Sequence, residues 1–206
     1  MSTLKRTIST TLSIAASLSA LAFAGSAHAN DTSVGASWAV RTNSDLGCSV
    51  GAPCERASKT SGKIYGDYSF AVTPYNGFSI SQSVEGMLYQ IGEAKANFNT
   101  GSGIKSGNGK SSGVGVFYKV DLGTDDFGVT AKLGGSYAHG SVNFMNGGSE
   151  SQNAWFLPAG GLGLRVNLNK NVMLTADWDR LPAKYSSTNS TKAKNDMYSI
   201  GVAYKF

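Results

Sequence analysis

From Asp31 onward, apolar and polar residues alternate with a period of two, the spacing of strands with unlike faces, and no long stretch keeps a helical period. Eight segments carry the pattern. "TSVGASWAVRT" sets Val34, Ala36, Trp38 and Val40 on one face, and "IYGDYSFAV" does the same with Tyr68, Phe70 and Val72. "FSISQSVEGML" opposes Phe78, Ile80 and Val84 to Ser79, Ser81, Ser83 and Glu85. In "GVGVFYKVDL", Val114, Val116, Tyr118, Val120 and Leu122 alternate with Gly113, Gly115, Phe117, Lys119 and Asp121. "FGVTAKLGGSY" sets Phe127, Val129, Ala131, Leu133 and Tyr137 against Thr130, Lys132, Gly134 and Ser136. "GLGLRVNL" sets Leu162, Leu164, Val166 and Leu168 against Gly161, Gly163, Arg165 and Asn167. "VMLTADWDRL" sets Val172, Leu174, Ala176 and Trp178 against Thr175, Asp177 and Asp179, and "DMYSIGVAYKF" finishes with Tyr198, Ile200, Val202, Tyr204 and Phe206 in one row.

The links between these strands are of two kinds. "TPYNG", "GTDD" and "NKN" are tight turns with turn-forming residues. Between them run long links, approximately Asn43 to Gly62, Gly92 to Ser112, Met145 to Ala154 and Pro182 to Asn195, rich in Gly, Ser, Asn and Lys. Short and long alternate strictly, so all the long loops fall at one end of an up-and-down sheet, the arrangement of outer-membrane barrels.

The start of the chain changes the picture by naming a compartment. Lys5 and Arg6 precede the apolar run "LSIAASLSALAFAG", and Ala27-His28-Ala29 has the small-x-small form of a signal-peptidase site. Residues 1–29 are therefore expected to be a signal peptide and 30–206 the exported domain. No later stretch approaches the roughly 20 apolar residues of a membrane helix. The formal net charge is +5, and Lys5 and Arg6 leave with the leader. That mild remainder argues against nucleic acid as a partner. Aromatics at 10% and only 4 Pro favour many strands over disorder.

Cys48 and Cys54 are the two cysteines, in "GCSVGAPCER". In an exported chain this spacing reads as a small disulfide-closed loop, with a metal site or two free thiols as alternatives. So short a ring shapes a loop more than it stabilises a fold.

A secreted sandwich would share the alternation, but its apolar face would pack large side chains from two sheets. Here the polar face is crowded with small residues, among them Gly113, Gly115, Gly134, Gly161, Gly163, Gly201, Ser79, Ser81, Ser83, Ser136 and Ser199. They suit a narrow lumen that also holds Lys119, Asp121, Lys132, Arg165, Asp177 and Asp179. A closed barrel leaves no strand edge in hydrocarbon, and an eight-stranded interior is just wide enough for side chains to fill. The expected fold is all-β, an eight-stranded antiparallel up-and-down transmembrane β-barrel.

The stretches "YSFAVTPYNGFSIS", "GVGVFYKVDLGTDDFGVTAKLGGSY", "AGGLGLRVNLNKNVMLTADWD" and "MYSIGVAYKF" resemble the transmembrane domain of the OmpA family and related opacity-type surface proteins. The resemblance spans nearly all of residues 30–206 and is strongest near the short turns. It implies an integral outer-membrane protein with extracellular loops and both mature termini in the periplasm. Tyr204 and terminal Phe206 look like the carboxy-terminal signal read by the barrel-assembly machinery. Lys119 and Lys132 match interior basic positions and Asp177 an interior acidic one. Ser79 and Gly163 stand where the family's salt-bridge gate has acidic residues, and Thr175 where it has arginine, so that gate is not carried over. The sequence runs no further than the barrel, so neither is wall anchoring through a peptidoglycan-binding domain.

Three functions follow from different features. The first is a non-catalytic surface scaffold whose four loops meet host or cell-surface ligands, outer-membrane lipid or lipopolysaccharide, because binding residues concentrate on loops held by a rigid frame. Basic residues outnumber acidic ones across the loops and include Arg56, Lys59, Lys95, Lys105, Lys110, Lys184, Lys192 and Lys194. The second is a small-solute pore lined by the lumen charges, though aqueous porins use about twice as many strands. The third is a lipid A-modifying enzyme: His139 and Ser141 in "AHGSVNF" share a strand face and resemble the His-x-Ser element of lipid A 3-O-deacylases. Val142 stands where that family has Asn, and the scaffold reading, with no catalytic residue and no cofactor, is preferred. Trp38, Tyr68, Tyr118, Tyr137, Trp178, Tyr198, Tyr204 and Phe206 fall on the outward face, as aromatic belts do. Trp155 and Tyr185 lie near enough to the loops to stack on carbohydrate. No metal-ligating constellation stands out.

Overall fold

A computed structural model describes residues 31–45, 61–100, 103–185 and 193–206. The expected signal peptide and the Cys48–Cys54 pair lie outside the described residues. The strands are β1 (Thr32–Asp45), β2 (Gly62–Tyr75), β3 (Phe78–Thr100), β4 (Gly103–Gly123), β5 (Phe127–Phe144), β6 (Ser149–Asn167), β7 (Val172–Arg180) and β8 (Lys194–Lys205). Each pairs antiparallel with its neighbour in sequence, and β1 pairs with β8, so the sheet is a closed eight-stranded barrel.

Turn chemistry sets the register at one end. Asn76 and Gly77 both take positive φ (45° and 84°), as an Asn-Gly hairpin turn requires. The Thr124 hydroxyl accepts from the amides of Asp126 and Phe127 between β4 and β5. Asn169 Oδ1 accepts from the amides of Asn171 and Val172 between β6 and β7. These links mark the turn end of the barrel, and the opposite end is the loop end.

Two of the four long loops are largely strand. Gly92 to Thr100 and Gly103 to Ser112 extend β3 and β4, and Met145 to Ala154 reduces to a short turn over residues 145–148 followed by β6. The apolar alternation that marks a membrane strand is absent there, which is why the stretches read as loops. β3 and β4 reach 23 and 21 residues, whereas β7 has 9. One side of the barrel therefore stands taller than the other.

The outer face is an apolar belt. Trp38, Val116, Leu133 and Phe206 are more than 60% exposed, and Tyr68, Leu122, Leu162, Ile200 and Tyr204 continue the row around the barrel. In water such a surface would be a severe liability, whereas a bilayer is its natural solvent. Among the described residues no helix is long and apolar enough to cross a membrane. Toward the loop end the belt stops abruptly. Val114, Tyr137 and Trp155 lie side by side, the two rings 5.0 Å apart. The next outward row is Ser112, His139 and Asn153. Above that step the tall β3–β6 wall presents polar side chains.

Candidate functional site

The inward row of β2 begins Lys63, Tyr65, Asp67, Ser69, because Ile64, Gly66, Tyr68 and Phe70 take the lipid side of the pleat. Facing it are Glu85 from β3, Lys119 from β4, Lys132 from β5, and Asp177 and Asp179 from β7. Lys119 Nζ lies 2.6 Å from Asp67 and 3.6 Å from Glu85, and Lys132 Nζ lies 2.6 Å from Glu85 and 2.7 Å from Asp179. Lys63 Nζ completes the series at 2.7 Å from Asp179 and 2.9 Å from Asp177. Asp67, Lys119, Glu85, Lys132, Asp179, Lys63 and Asp177 thus form one chain of alternating sign across the lumen. Lys63, Lys132 and Asp179 side chains are 1–3% exposed. Lys132 also stands over the Phe117 ring and Lys63 over the Tyr65 ring.

Charges this deep are tolerable only when paired and hydrogen-bonded. Nearer the turn end, Arg165 Nε and Nη2 reach the Asp121 carboxylate at 2.8–2.9 Å, and Nη2 also donates to the Thr124 carbonyl. All six lumen charges singled out in the sequence therefore sit in two ion-pair groups. Three members of the larger group were not singled out: Lys63, which directly follows a long link, Asp67 and Glu85. The period-two row of "KIYGDYS" was the signal for the first two. Ser79, Gly163 and Thr175 are not charged, yet an interior ion-pair layer exists, assembled from other positions.

Below this layer a cavity of about 770 Å3 reaches the turn residues Asp125, Asp126, Asn169 and Lys170. Its walls combine Ser69, Ser79, Ser81, Ser83, Thr130 and Thr175 with Val72, Leu164, Leu168 and Met173, and Asp67, Glu85, Lys119 and Asp177 stand at its inner limit. Tyr65 bonds across it to Thr175 at 3.2 Å.

Above the layer the lumen is filled. Tyr89, Ile91, Phe117, Ala138, Val142, Phe156, Leu181, Tyr185 and Met197 are buried in one cluster. The small residues of the inner face make room for it, since a side chain at Gly115 would strike the Phe117 ring and one at Gly113 the Tyr89 ring. Tyr185 does not face solvent as a stacking platform would. It is 5% exposed and donates to Asn195 Oδ1 at 3.3 Å, burial raising its hydroxyl above the ordinary phenol value so that it stays protonated. Trp155, by contrast, is 72% exposed at the rim of the apolar belt.

His139 and Ser141 point outward on β5. His139 Nδ1 lies 2.6 Å from Asn153 Oδ1. This pairs the ring with a neutral amide across the β5–β6 ladder. At the last strand, Tyr204 and Phe206 stack edge to face with centroids 5.0 Å apart, and the Phe206 amide donates to the Thr32 carbonyl at 2.9 Å, joining the end of β8 to the start of β1.

Solved structures with a similar chain include Ail, the attachment invasion locus protein of Yersinia pestis, at 17% identity over 86% of this chain and 97% of that one, with a TM-score of 0.44. A second structure of Ail holds the heparin analogue sucrose octasulfate. Neisserial surface protein A is 16% identical over 88% of this chain and 100% of that one, with a TM-score of 0.48. OprG of Pseudomonas aeruginosa is 16% identical over 86% and 96%, with a TM-score of 0.39. No curated protein matches the chain. The family described as outer membrane protein beta-barrel domain matches residues 8–206, nearly the whole sequence. With its closed ring of eight strands, its apolar exterior and its paired interior charges, this chain belongs to that family and is an integral outer-membrane protein.

Proposed function

We propose that the protein is a non-catalytic surface scaffold, inserted with its loop end toward the cell exterior and both ends of the mature chain toward the periplasm. The observation that carries this reading is the contrast between a filled upper lumen and a β3–β6 wall that continues, polar-faced, beyond the apolar belt. The barrel holds the wall rigidly, and the wall and loops meet lipopolysaccharide, host surfaces or other cell-surface ligands. Tyr204 and Phe206 serve recognition by the assembly machinery before insertion. A disulfide between Cys48 and Cys54 would tie the loop between β1 and β2.

A cysteine placed at Asn146, in the turn between β5 and β6, tests the orientation. A membrane-impermeant maleimide should label it on intact cells, and labelling only after the outer membrane is permeabilised would overturn the reading. Loss of cell-surface attachment when the β5–β6 hairpin is shortened tests the role.

The turn-end cavity favours a second reading, a narrow pore. Lys63, Lys132 and Asp179 close the cavity's inner end and the apolar cluster lies beyond them, so planar bilayers carrying the refolded protein should stay silent. Discrete current steps would restore the pore.

A further inference from the structure

We propose that Lys63 and Tyr65 form a clasp that locks the closing seam of the barrel, the β1–β8 junction, from inside. The clasp is a property of the closed ring and holds whichever end faces the cell exterior.

The seam is the junction most costly to make. Ser33 of β1 pairs with Lys205 of β8, so the loop that must close is nearly the whole barrel sequence. Closure entropy grows with loop length, and contacts between distant residues form late. The seam is also weakly tied by its own residues. Its ladder is interrupted by a register shift between Ala39 and Arg41, and such a bulge disrupts the pairing locally. On the inner face β1 offers Gly35, Ser37 and Ala39, and β8 offers Ser199, Gly201 and Ala203. The Ser37 and Ser199 hydroxyls are buried with no hydrogen-bond partner among the described residues. These six positions therefore contribute no side-chain hydrogen bond across the junction.

The link comes instead from the strands on either side. β2 and β7 flank the seam, β2 beside β1 and β7 beside β8. Lys63 of β2 reaches over it to Asp179 and Asp177 of β7, at 2.7 and 2.9 Å. Lys63 and Asp179 are 116 positions apart in the chain. Two residues further along β2, the Tyr65 hydroxyl bonds Thr175 Oγ1 of β7 at 3.2 Å. The small seam residues leave the space in which these side chains lie. A Cβ on Gly35 would strike the Tyr65 ring and come within 2.9 Å of Ala203 Cβ, and one on Gly201 would strike Ser37 Oγ. The Lys63 ammonium stands 5.2 Å from the Tyr65 ring centroid, so the two arms of the clasp support each other.

The other lysines of the ion layer do not cross the seam. Lys132 joins β5 to β3 and β7, and Lys119 joins β4 to β2 and β3. Both clasp contacts form only once β2 and β7 have been brought together by ring closure. Lys63 and Tyr65 thus set how often the seam opens, whereas Lys132 and Lys119 stabilise the wall of consecutive strands.

Hydrogen exchange of the refolded protein in detergent, resolved by strand, tests the clasp. Lys63→Met should speed exchange at β1 and β8 amides about tenfold or more and leave β3–β5 within about twofold. Lys132→Met, which also leaves buried carboxylates without an ammonium, should show no preference for the seam. Lys63→Met combined with Asp177→Asn removes the carboxylate left unpaired, so it should regain stability in urea while the seam still exchanges fast. Tyr65→Phe keeps every charge and should give a smaller acceleration, about threefold, at the same two strands. It carries the test if Lys63→Met does not fold. Uniform acceleration in all strands, the same profile for Lys63→Met and Lys132→Met, wild-type seam exchange in the double variant, or an unchanged seam in Tyr65→Phe overturns the proposal.

Discussion

The two halves of the lumen are built from the same pleat and solve the interior problem in opposite ways. Toward the turn end, Ser, Thr and charged side chains, with a few apolar ones such as Leu164 and Met173, line a cavity of about 770 Å3. Toward the loop end, Tyr89, Phe117, Phe156, Leu181 and Met197 leave the lumen filled. Between them lies the alternating chain from Asp67 to Asp177, half of it against the cavity and half against the apolar cluster. Inward residue size, more than polarity alone, separates the halves. Serines oppose serines below, as with Ser69 and Ser81 at 3.1 Å, whereas glycine opposes an aromatic ring above.

Breaking the dry side of the boundary should cost most. Lys132→Met leaves Glu85 and Asp179 buried without their shared cation, and a destabilisation of about 3–5 kcal/mol is expected in urea unfolding of the refolded protein. A loss under about 1 kcal/mol would mean that solvent reaches the layer from above, and the contrast between the halves would collapse.

Phe156→Ala removes a ring 2% exposed from the apolar half, and a loss of about 3 kcal/mol follows if the site cannot collapse. Replacing Ser81 with Ala in the cavity half should change stability by about 0.5 kcal/mol or less in the same titration, since water can take over its bonds. Near-equal losses for the two would show that the upper cluster is loosely packed.

Lys119→Met probes the wet side of the same ion chain. Its side chain is 16% exposed against 3% for Lys132, so water can solvate Asp67 once the ammonium is gone. The expected cost is about 1–2 kcal/mol, below that of Lys132→Met and more sensitive to added salt. Smallest of all is Arg180→Ala on the outside. Arg180 pairs with Asp196 at 2.8 Å but is 47% exposed, and its loss should shift unfolding by at most about 0.5 kcal/mol.

The membrane part of the fold was legible because a strand between lipid and a polar lumen must alternate. Val114 to Leu122 and Tyr198 to Phe206 could hardly be read otherwise. Above the belt the outer face meets water and the strand's own inward residues, Gly107, Gly109 and Ser111, are small, so Gly103 to Ser112 carries no such alternation, and its strand state depends on pairing with β3 and β5. Lys63 shows the same limit in the site. It follows a Gly- and Ser-rich link and reads as a loop cation, yet it is the ammonium that joins Asp177 to Asp179.

By itself, the order of residues determined how many strands cross the membrane, which face meets lipid, where the tight turns lie and that charges enter the lumen. These follow from solvent on either side of a two-residue repeat, a local rule each strand obeys alone. Only the closed barrel decided which charges meet and that the upper lumen is filled. Such outcomes depend on strand stagger around the ring, and no single strand carries that information.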